Sequence, residues 1–401
     1  MREGRLMKKQ LLKSVFKKIN TGGLEVVFWD GEVEQYGPEP PKVRIIFNKP
    51  LPLTFDFNDP ILSFGEAYMD EIIDFEGPIE EVLSIVEINK QNLITDNNLN
   101  DKVTVALQKL NDTALKQKQS ENIQHHYDLG NDFFSLWLDD TMNYSCAYFK
   151  NQEDSLHQAQ LQKIDHILKK LQLKPGERLL DIGSGWGWLI IKAAQQYDVN
   201  AVGITLSEDQ YNATKQRIKE LGLEDNVDVL LHDYLDLSEE NKFDKIVSVG
   251  MFEHVGKENL ATYMKKVHKL LVPGGLSMLH TITKPNENTV NSWIKKYIFP
   301  GGYIPSLRES IWLLPEYDFH VQHIESLRMH YALTLDKWYA NFCKHIDKVE
   351  KMFDRRFVRM WRLYLQGCAA SFRISGLNIH QILFSKGLNN DLPLTSEHIY
   401  V

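Results

Sequence analysis

The sequence predicts an α/β fold in which helices cover both faces of a mostly parallel sheet, preceded by a smaller mixed α/β domain. Strand-like and helix-like segments alternate through the second half of the chain, as a parallel sheet requires. Pro273-Gly274-Gly275 separates a helical pattern from the next strand, as a crossover connection needs. The length of 401 residues exceeds one average domain, so two or three domains are expected.

The N-terminal part is predicted to be the small mixed domain, residues 1–94. Two β-rich runs, 24–29 and Val43–Phe47, are separated by Asp30-Gly31 and a cluster of prolines, which favours strands joined by turns. From residue 63 to residue 92 the pattern is typical of helix, and Pro78 lies near the start of a helix that includes residues 80–88. A polar stretch rich in Asn, Asp, Lys and Gln, residues 95–121, is predicted to be the linker.

The remainder, residues 122–401, is predicted to be the catalytic domain. The predicted strands are Arg178–Ile182, 200–204, Val227–Leu231, 245–249 and 276–282, and the predicted helices are Trp188–Tyr197 and 208–221. Ligands of such sheets bind outside the carboxyl ends of the strands. The loops that follow these strands are therefore the place to look for function.

Composition and charge narrow the classes of function. The net charge of −8 argues against nucleic acid as a general partner. No apolar run of about 18 residues predicts a membrane span, and no signal peptide is recognised. Cys146, Cys343 and Cys368 are too few and too scattered for a disulfide framework, so the cytoplasm is the expected compartment.

The N-terminal segment, residues 1–18, is strongly basic, with seven basic side chains and one acidic one. Leu11, Leu12, Val15 and Phe16 could form one apolar stripe of a helix there. Such a segment is suited to an anionic membrane surface. It is equally suited to packing on its own domain with the basic face in solvent, and the sequence leaves both interpretations open.

A glycine-rich loop follows the first strand of the second domain. Asp181 precedes Gly183, and Ser184, Gly185 and Gly187 complete a turn in which backbone amides can approach a ligand. The glycine spacing lacks the G-x-G-x-x-G interval of dinucleotide sites. An acidic residue beside such a loop suits the sulfonium and amino groups of S-adenosylmethionine better than a nicotinamide cofactor.

Two further strand ends agree with that cofactor. After the second strand, Thr205, Leu206 and Gln210 offer hydroxyl and amide groups for ribose hydroxyls, where an acidic residue is more usual. After the third strand, Asp233 could accept a hydrogen bond from an exocyclic amine and Tyr234 could stack on adenine. Together the three strand ends favour S-adenosylmethionine over NAD.

Four further segments carry distinctive motifs: His125-His126-Tyr127-Asp128, Tyr144-Ser145-Cys146-Ala147-Tyr148-Phe149, Gly250-Met251-Phe252-Glu253-His254-Val255-Gly256 and His280-Thr281-Ile282-Thr283. They resemble the cyclopropane-fatty-acid synthases and the mycolic acid cyclopropane synthases. The resemblance runs from about residue 122 to residue 387. Phe64-Gly65-Glu66-Ala67-Tyr68-Met69-Asp70 is more similar to the fatty-acid branch.

The resemblance implies a class I S-adenosylmethionine-dependent methyltransferase with a Rossmann-like, mostly parallel seven-stranded sheet. It also implies that Tyr144 and Ser145 help to bind the cofactor. This sequence departs from the family pattern at three positions, Ser184, Trp188 and His232. None of the three removes a predicted reacting group.

The implied reaction transfers a methylene from S-adenosylmethionine to a cis double bond in an acyl chain of a membrane phospholipid. A carbocation forms on the chain, and aromatic faces could stabilise it in a dry pocket. Tyr127, Tyr148 and Phe149 suit that role. The aromatic stretch 284–315 is predicted to cap the pocket, and its Tyr297 and Tyr303 could line it.

The resemblance further implies that a bound bicarbonate removes the proton that allows the ring to close. Carried over by motif, its holders are Cys146, Glu253, His280, the backbone amide of Ile282 and Tyr331. Bicarbonate has one hydroxyl to donate and anionic oxygens to accept. Ionised Glu253 can accept from it, while a histidine, a phenol, an amide and a neutral thiol can donate to it.

Two other functions are compatible with parts of the sequence. The first is an S-adenosylmethionine-dependent methyltransferase that acts on another lipid or on a small soluble acceptor. With a small soluble acceptor, Glu253 or His254 would act directly as a general base. The second is an inactive, lipid-binding relative of these enzymes. The intact motifs argue against it. Cys146 as a nucleophile is disfavoured, because methyl transfer to carbon needs no covalent enzyme intermediate. The histidine spacing matches no zinc pattern, so no metal is expected.

The expected partners are a phospholipid and the membrane surface that contains it. In residues 348–364, basic and aromatic side chains alternate at helical spacing, which suits anionic head groups. The N-terminal domain could dock on the membrane or form a homodimer. The sequence thus predicts a cytoplasmic protein associated peripherally with the inner face of the cell membrane.

Overall fold

The computed structural model of the protein describes residues 2–93, 129–287 and 291–400. The chain divides into two compact units. The first comprises Met1–Gln117, Asn291–Ile298 and His345–Ser375, and the second comprises Lys118–Val290, Phe299–Lys344 and Gly376–Val401. The predicted linker lies outside the described residues, so the predicted domain boundaries stay a prediction. Two later segments of the chain nevertheless pack with the N-terminal unit.

The N-terminal elements are α1 (Arg2–Phe16), β1 (Leu24–Val27), β2 (Val33–Tyr36), β3 (Val43–Phe47), α2 (Pro60–Met69), β4 (Ile73–Glu76), α3 (Ile79–Ile88) and α4 (Lys90–Leu93). The four strands form one mixed sheet in the order β2-β1-β3-β4. Alternate strand residues, such as Val26 and Ile45, are buried on the helix-covered face. The structure therefore contains the predicted small α/β unit.

Helix α3 begins directly after Pro78, as predicted, but the helical pattern predicted from residue 63 to residue 92 is wrong for β4, a strand that separates α2 from α3. Ile73 is fully buried and pairs with Phe47 of β3. Glu71 and Gly77, with positive φ angles of 55° and 101°, turn the chain on either side of the strand. Edge pairing thus overrides the helical pattern of this short segment.

The basic N-terminal segment forms α1, and one face of this helix packs on the rest of the first unit. Leu12 and Phe16 are buried in the core below the sheet. Lys13 forms ion pairs with Glu32 at 2.8 Å and Glu34 at 2.7 Å, so part of the local positive charge is neutralised. Leu6, Met7 and Leu11 remain exposed on α1.

The elements after residue 129 are α5 (Asn131–Phe134), α6 (Leu156–Leu171), β5 (Arg178–Ile182), α7 (Trp188–Tyr197), β6 (Asn200–Thr205), α8 (Glu208–Glu220), β7 (Val227–Leu231), β8 (Phe243–Val249), α9 (Leu260–Leu270), β9 (Leu271–Thr283), α10 (Ser292–Tyr297), α11 (Leu307–Leu313), β10 (Phe319–Ser326), α12 (Arg328–Cys343), α13 (Ile346–Met352), α14 (Arg355–Ile374), β11 (Asn378–Lys386) and α15 (Glu397–Tyr400). Of these, α10, α13 and α14 belong to the first unit.

The second unit is built on a seven-stranded sheet in the order β10-β11-β9-β8-β5-β6-β7. Strands β9, β8, β5, β6 and β7 run parallel, and β11 runs antiparallel to both β9 and β10. Buried apolar clusters lie on both faces. The strand order reverses between β5 and β8, and the carboxyl ends of these strands border the expected ligand crevice. The predicted fold class is confirmed.

The predicted helix 348–364 is in fact two helices, α13 and α14, because Asp354 begins a new helix by accepting from the Phe357 N–H at 2.6 Å. The predicted aromatic stripe forms a stack, with Phe353 and Phe357 ring centroids 4.1 Å apart. Arg356 pairs with Asp70 at 2.7 Å. The guanidinium of Arg359 is held by the carbonyls of residues 68 and 73. These two cations therefore serve the first unit itself.

No helix among the residues described has both the length and the apolar character that a membrane crossing needs.

Candidate active site

The glycine-rich loop is tied to the neighbouring strand by its own backbone. The N–H groups of Gly183 and Ser184 both donate to the carbonyl of Ile204 in β6, at 3.0 and 2.9 Å. Gly183 and Gly187 have φ angles of 83° and 82°, a conformation that favours glycine. Helix α7 begins directly after Gly187, so the loop ends at a helix N-terminus, where backbone N–H groups are free to meet a ligand.

Asp181, the last but one residue of β5, is a buried carboxylate without its full set of partners. Its Oδ1 has no hydrogen-bond partner among the described residues. Burial raises the pKa of Asp181 to about 7, although the charge of Lys163 opposes the rise. A cationic ligand would stabilise the ionised form of such a group. The site therefore fits the positively charged methyl donor that the sequence predicts.

The second and third strand ends also place the predicted residues at this edge. The Thr205 hydroxyl donates to Gln210 Oε1 at 2.7 Å, and both side chains are buried. Leu206 lies between β6 and α8, the helix that carries Gln210. After β7, Asp233 accepts from the backbone N–H of residue 235 at 2.9 Å, and Tyr234 follows it directly.

Helix α6 holds the segment that contains Tyr144 and Ser145. Lys163 Nζ donates to the Ser145 hydroxyl at 2.9 Å, and Gln160 Nε2 donates to the Ser145 carbonyl at 3.0 Å. The Tyr144 ring packs 5.3 Å from that of Trp338. Neither Gln160 nor Lys163 was singled out from the sequence. Their spacing of three residues among the apolar positions of an amphipathic helix was the available signal.

The residues predicted to hold bicarbonate lie on segments of the second unit that are linked by backbone hydrogen bonds. Cys146 Sγ lies 3.9 Å from the carbonyl of Leu327, and the Tyr331 N–H donates to the same carbonyl at 3.1 Å. The Leu327 N–H in turn donates to the carbonyl of Ile379 at 2.8 Å. Ile379 lies opposite Ile282 in the pairing of β11 with β9.

Glu253 approaches the same place from the turn after β8. Its Oε1 accepts from the Ile282 N–H at 2.6 Å, while its Oε2 is buried with no hydrogen-bond partner among the residues described. Burial raises the pKa of Glu253 to about 7, and hydrogen bonds from the backbone only partly oppose this. The amide predicted to bind bicarbonate therefore contacts the carboxylate directly.

His280 lies two residues before Ile282 on β9 and is fully buried. Gln381 Nε2 is 3.1 Å from His280 Nδ1, and His280 Nε2 has no partner in the described parts of the chain. Burial lowers the pKa of His280 well below its usual value, and it raises the pKa of the buried Cys146 thiol. Both groups are therefore neutral at physiological pH.

Glu253 thus contacts Ile282 directly, beside His280 on β9. Cys146 and the Tyr331 N–H meet at the Leu327 carbonyl, and Leu327 is hydrogen-bonded to Ile379, the β11 residue opposite Ile282. Glu253 Oε2 and His280 Nε2 are buried polar atoms without a partner among the described residues. Buried polar atoms are rarely left unpaired in proteins. A carboxylate oxygen and an imidazole nitrogen without partners fit a small molecule that both donates and accepts, as bicarbonate does.

The predicted pocket aromatics of the motif Tyr144–Phe149 follow Cys146 in the chain. The Tyr148 ring stacks on His166 at 4.1 Å and on His330 at 4.9 Å. Phe149 is buried, and its N–H donates to His330 Nδ1 at 3.0 Å. The ring of Tyr148 is therefore held between two imidazoles, a contact that the sequence did not suggest.

The other predicted pocket residues have different surroundings. The Tyr303 N–H donates to the Glu253 carbonyl at 2.8 Å. This hydrogen bond joins the predicted cap to the turn after β8 that carries Glu253. Tyr297 belongs to the first unit, where its hydroxyl donates to Glu66 Oε1 at 2.7 Å. Tyr127 and its neighbouring histidines lie outside the described residues.

Comparisons with known proteins identify the family of the chain. Residues 114–382 match the family model described as mycolic acid cyclopropane synthetase, and residues 11–98 match a domain of unknown function. A cyclopropane synthase of Mycobacterium tuberculosis, MmaA2, has a TM-score of 0.63 and 36% identity, covering 67% of this chain and 98% of its own. A mycolic acid cyclopropane synthase solved with SAH and CTAB has the same TM-score and 37% identity, with the same two coverages.

Two relatives extend the match into the N-terminal part. A probable fatty acid methyltransferase of Pseudomonas putida is 39% identical over 94% of this chain and 96% of its own length. The cyclopropane-fatty-acyl-phospholipid synthase of Escherichia coli K12 is 40% identical over 82% of this chain and 85% of its own length.

The fold, the glycine-rich loop and the comparisons together identify the chain as an S-adenosylmethionine-dependent methyltransferase. Within that class, the chain belongs to the family of cyclopropane-fatty-acid and mycolic acid cyclopropane synthases.

Proposed function

We propose that the protein is a cyclopropane-fatty-acyl-phospholipid synthase that adds a methylene to a cis double bond in a phospholipid acyl chain. The carrying observation is the cluster of Glu253, His280 and Ile282 beside the glycine-rich loop, with buried atoms on the first two that lack partners among the described residues. The Escherichia coli relative, which bears this name, supports the choice of substrate class.

S-Adenosylmethionine supplies an electrophilic methyl group when bound. Asp181 would face its cationic part, and the loop from Gly183 to Gly187 would pass beside it. Thr205 and Gln210 would exchange their mutual hydrogen bond for bonds to the ribose. Asp233 and Tyr234 would contact the adenine.

The lipid's double bond has weak nucleophilicity, so the pocket must hold it in line with the methyl group and exclude water. Addition of the methyl group leaves a cation on the acyl chain. Aromatic faces attract cations, and we assign this role to Phe149. The faces of Tyr148 are covered by His166 and His330, and the ammonium groups of Lys257 and Lys284 lie over the ring of Tyr303. Ring closure then requires removal of one proton from the new methyl group.

A bicarbonate ion would accept that proton, and the chain's own groups would hold the ion. Glu253 Oε2 would accept from its hydroxyl, whereas His280 Nε2 and the Cys146 thiol would donate to its oxygens. The Ile282 N–H would be shared between Glu253 and the ion, and the Tyr331 hydroxyl would complete the set. Because the pKa of Glu253 is about 7, its ionised form prevails above neutral pH.

The test is product analysis with the full-length protein, S-adenosylmethionine and vesicles of an unsaturated phospholipid. We expect a mass gain of about one CH₂ per alkene and the appearance of cyclopropane ring protons in the lipid NMR spectrum. A methyl-branched alkene would indicate a fatty acid methyltransferase without ring closure. Methylation confined to soluble acceptors would contradict the proposal, and cofactor binding without turnover would indicate an inactive lipid-binding relative.

We also propose that the protein works at the inner face of the cell membrane, in the cytoplasm, and that its first unit either docks on lipid or forms a homodimer. Exposed Leu6, Met7 and Leu11 on the basic helix α1 support the docking role, because interfacial helices combine apolar and basic side chains in this way.

A further inference from the structure

Three polar residues, two of them buried and one half-buried, lie in one row across the second unit's sheet. Glu325 on β10 faces Gln381 on β11, and Gln381 faces His280 on β9. Directly opposed residues of antiparallel strands project from the same face of a sheet. Lys170, from α6, reaches this row, and its Nζ lies 2.7 Å from Gln381 Oε1.

The chemistry of these groups fixes the direction of each hydrogen bond. A lysine ammonium can only donate, so the atom of Gln381 that faces Lys170 must be its oxygen. The amide NH₂ of Gln381 then faces His280 Nδ1 at 3.1 Å, and that nitrogen must accept. A neutral imidazole with an accepting Nδ1 carries its proton on Nε2.

An ion pair keeps Lys170 in the role of donor. Its Nζ lies 2.5 Å from Glu325 Oε2, which also lies 2.6 Å from His166 Nε2. Burial opposes ionisation of Glu325, but the hydrogen bonds from His166 and Lys170 outweigh it and lower the pKa to about 2. The carboxylate therefore stays charged. Burial lowers the pKa of Lys170, but the charge and hydrogen bond of Glu325 oppose this and hold the ammonium group against Gln381.

We propose that Lys170 and Gln381 are positioning residues that fix His280 as its Nε2–H tautomer. The Nε2 atom is buried and has no other partner among the described residues, so its proton is available to a ligand. The catalytic consequence rests on the proposed function: the fixed tautomer presents a donor to the oxyanion and withholds a competing acceptor. Neither residue touches the reacting atoms, and both act through His280.

The decisive variant is Gln381→Glu, which keeps the shape of the side chain but removes its donor. A carboxylate accepts from Lys170 and also from His280, so Nδ1 of His280 must gain a proton. The tautomer is read by long-range proton–nitrogen NMR of the full-length protein labelled at histidine, with the His280 signal identified by its loss in His280→Gln. Tyr400→Phe is the control, because Tyr400 contacts the same Glu325 at 3.3 Å but not Gln381.

We expect an Nε2–H tautomer in the wild type and in Tyr400→Phe, and a protonated Nδ1 in Gln381→Glu. The bicarbonate concentration that half-saturates turnover should rise about tenfold or more in Gln381→Glu, the effect of losing one hydrogen bond to a charged ligand. In Gln381→Met, which inserts no charge, the exclusive Nε2–H form should give way to a mixture.

An Nδ1–H or doubly protonated His280 in the wild type would overturn the proposal, as would an unchanged tautomer in both Gln381 variants. The wild-type spectrum alone decides the first point, so the test stands even if one variant fails to fold. If the tautomer is as expected but wild-type protein forms no cyclopropane lipid, the proposed function fails while the tautomer assignment holds.

Discussion

Glu253 shows at the scale of one residue how function opposes stability. Its carboxyl group is buried with one oxygen unpaired among the described residues, and burial raises its pKa from 4.5 to about 7. The group is tolerated as a neutral acid, but its ionisation in the folded protein is costly. A site that binds an anion and a cationic cosubstrate is expected to contain a group that is costly to ionise in the folded protein.

A pH-dependent stability difference follows from this pKa. A group whose pKa is raised by folding contributes stability that is complete below pH 4.5 and is lost as the pH rises through 7. Glu253→Gln removes the titration but keeps an oxygen that can accept from the Ile282 N–H. The variant should therefore be more stable than the wild type at pH 8, by up to about 3 kcal/mol.

Thermal or urea unfolding of both proteins without ligands, at pH 5 and pH 8, measures this difference. The advantage of Glu253→Gln should shrink towards pH 5, where wild-type Glu253 is largely protonated. A constant difference between the two proteins at both pH values would show that Glu253 does not titrate in this range.

The residues named from sequence and those missed differ in how they are recognised. Glu253 and His280 stand in compact motifs, so a resemblance could single them out. Gln381 and Lys170 stand in no such motif, and both are remote from His280 in the sequence. The pairing of β11 with β9 brings Gln381 to His280, and the packing of α6 on the sheet brings Lys170 to Gln381. Neither contact can be predicted from local sequence patterns.

At the scale of elements, helix α6 organises the site more than its sequence suggested. Its buried face carries Gln160, Lys163, His166 and Lys170, which hold the segment around Ser145 on one side and the row of His280 on the other. A surface helix usually buries only an apolar stripe. The polar residues on this buried stripe therefore mark it as part of the site.

Lys163→Met should loosen the segment around Ser145 and weaken cofactor binding. The substitution removes the hydrogen bonds to Asn143 Oδ1 at 3.1 Å and to the Ser145 hydroxyl at 2.9 Å. We expect the dissociation constant for S-adenosylmethionine to rise about tenfold, since a hydrogen bond to a charged group contributes about 1.5 kcal/mol or more. Calorimetric titration provides the measurement.

Lys169→Met is the matched control, because Lys169 lies on the same helix but is only half-buried. It should bind the cofactor as the wild type does. Equal affinities for all three proteins would mean that Lys163 supports the fold without organising the cofactor site.

Strands were predicted correctly where a continuous apolar run marks them, and β4 was missed where a short strand pairs with a remote one. Strands β5 and β7 have the bounds expected from their apolar runs. Strand β4 was mistaken for helix, because it is a short edge strand whose partner, β3, is separated from it in the sequence by α2. The break between α13 and α14 was missed because the apolar pattern continues across Asp354.

At the scale of the whole molecule, two compact units share the chain in an interleaved way. The segments Asn291–Ile298 and His345–Ser375 leave the second unit's sequence to pack in the first. Within the first unit, Trp293 Nε1 lies 3.3 Å from Met69 Sδ, and Arg356 pairs with Asp70. A linker-like composition alone does not predict that these two segments pack in the first unit, because the residues they contact lie in a remote part of the sequence.

Deleting residues 1–18 would be a poor test of membrane docking, because it would remove Leu12 and Phe16 from the core of the first unit. Leu11→Asp changes only an exposed side chain of α1. It should weaken co-sedimentation with anionic phospholipid vesicles, because an apolar anchor is replaced by a negative charge.

The control is Ser14→Asp, which adds the same charge at an exposed position one turn along α1. It should weaken binding less, since it removes no apolar surface. Equal losses would attribute the effect to charge alone, and unchanged binding of both variants would exclude α1 as the docking element.

The most direct measurement of the central claim, that this site holds a captive oxyanion as its base, is a bicarbonate titration of cyclopropane formation on phospholipid vesicles in carbonate-depleted buffer. We expect saturable activation by bicarbonate in the wild type, and loss of most turnover in Glu253→Gln with cofactor affinity retained. Wild-type turnover that is independent of bicarbonate, or a Glu253→Gln variant that remains fully active, would contradict it.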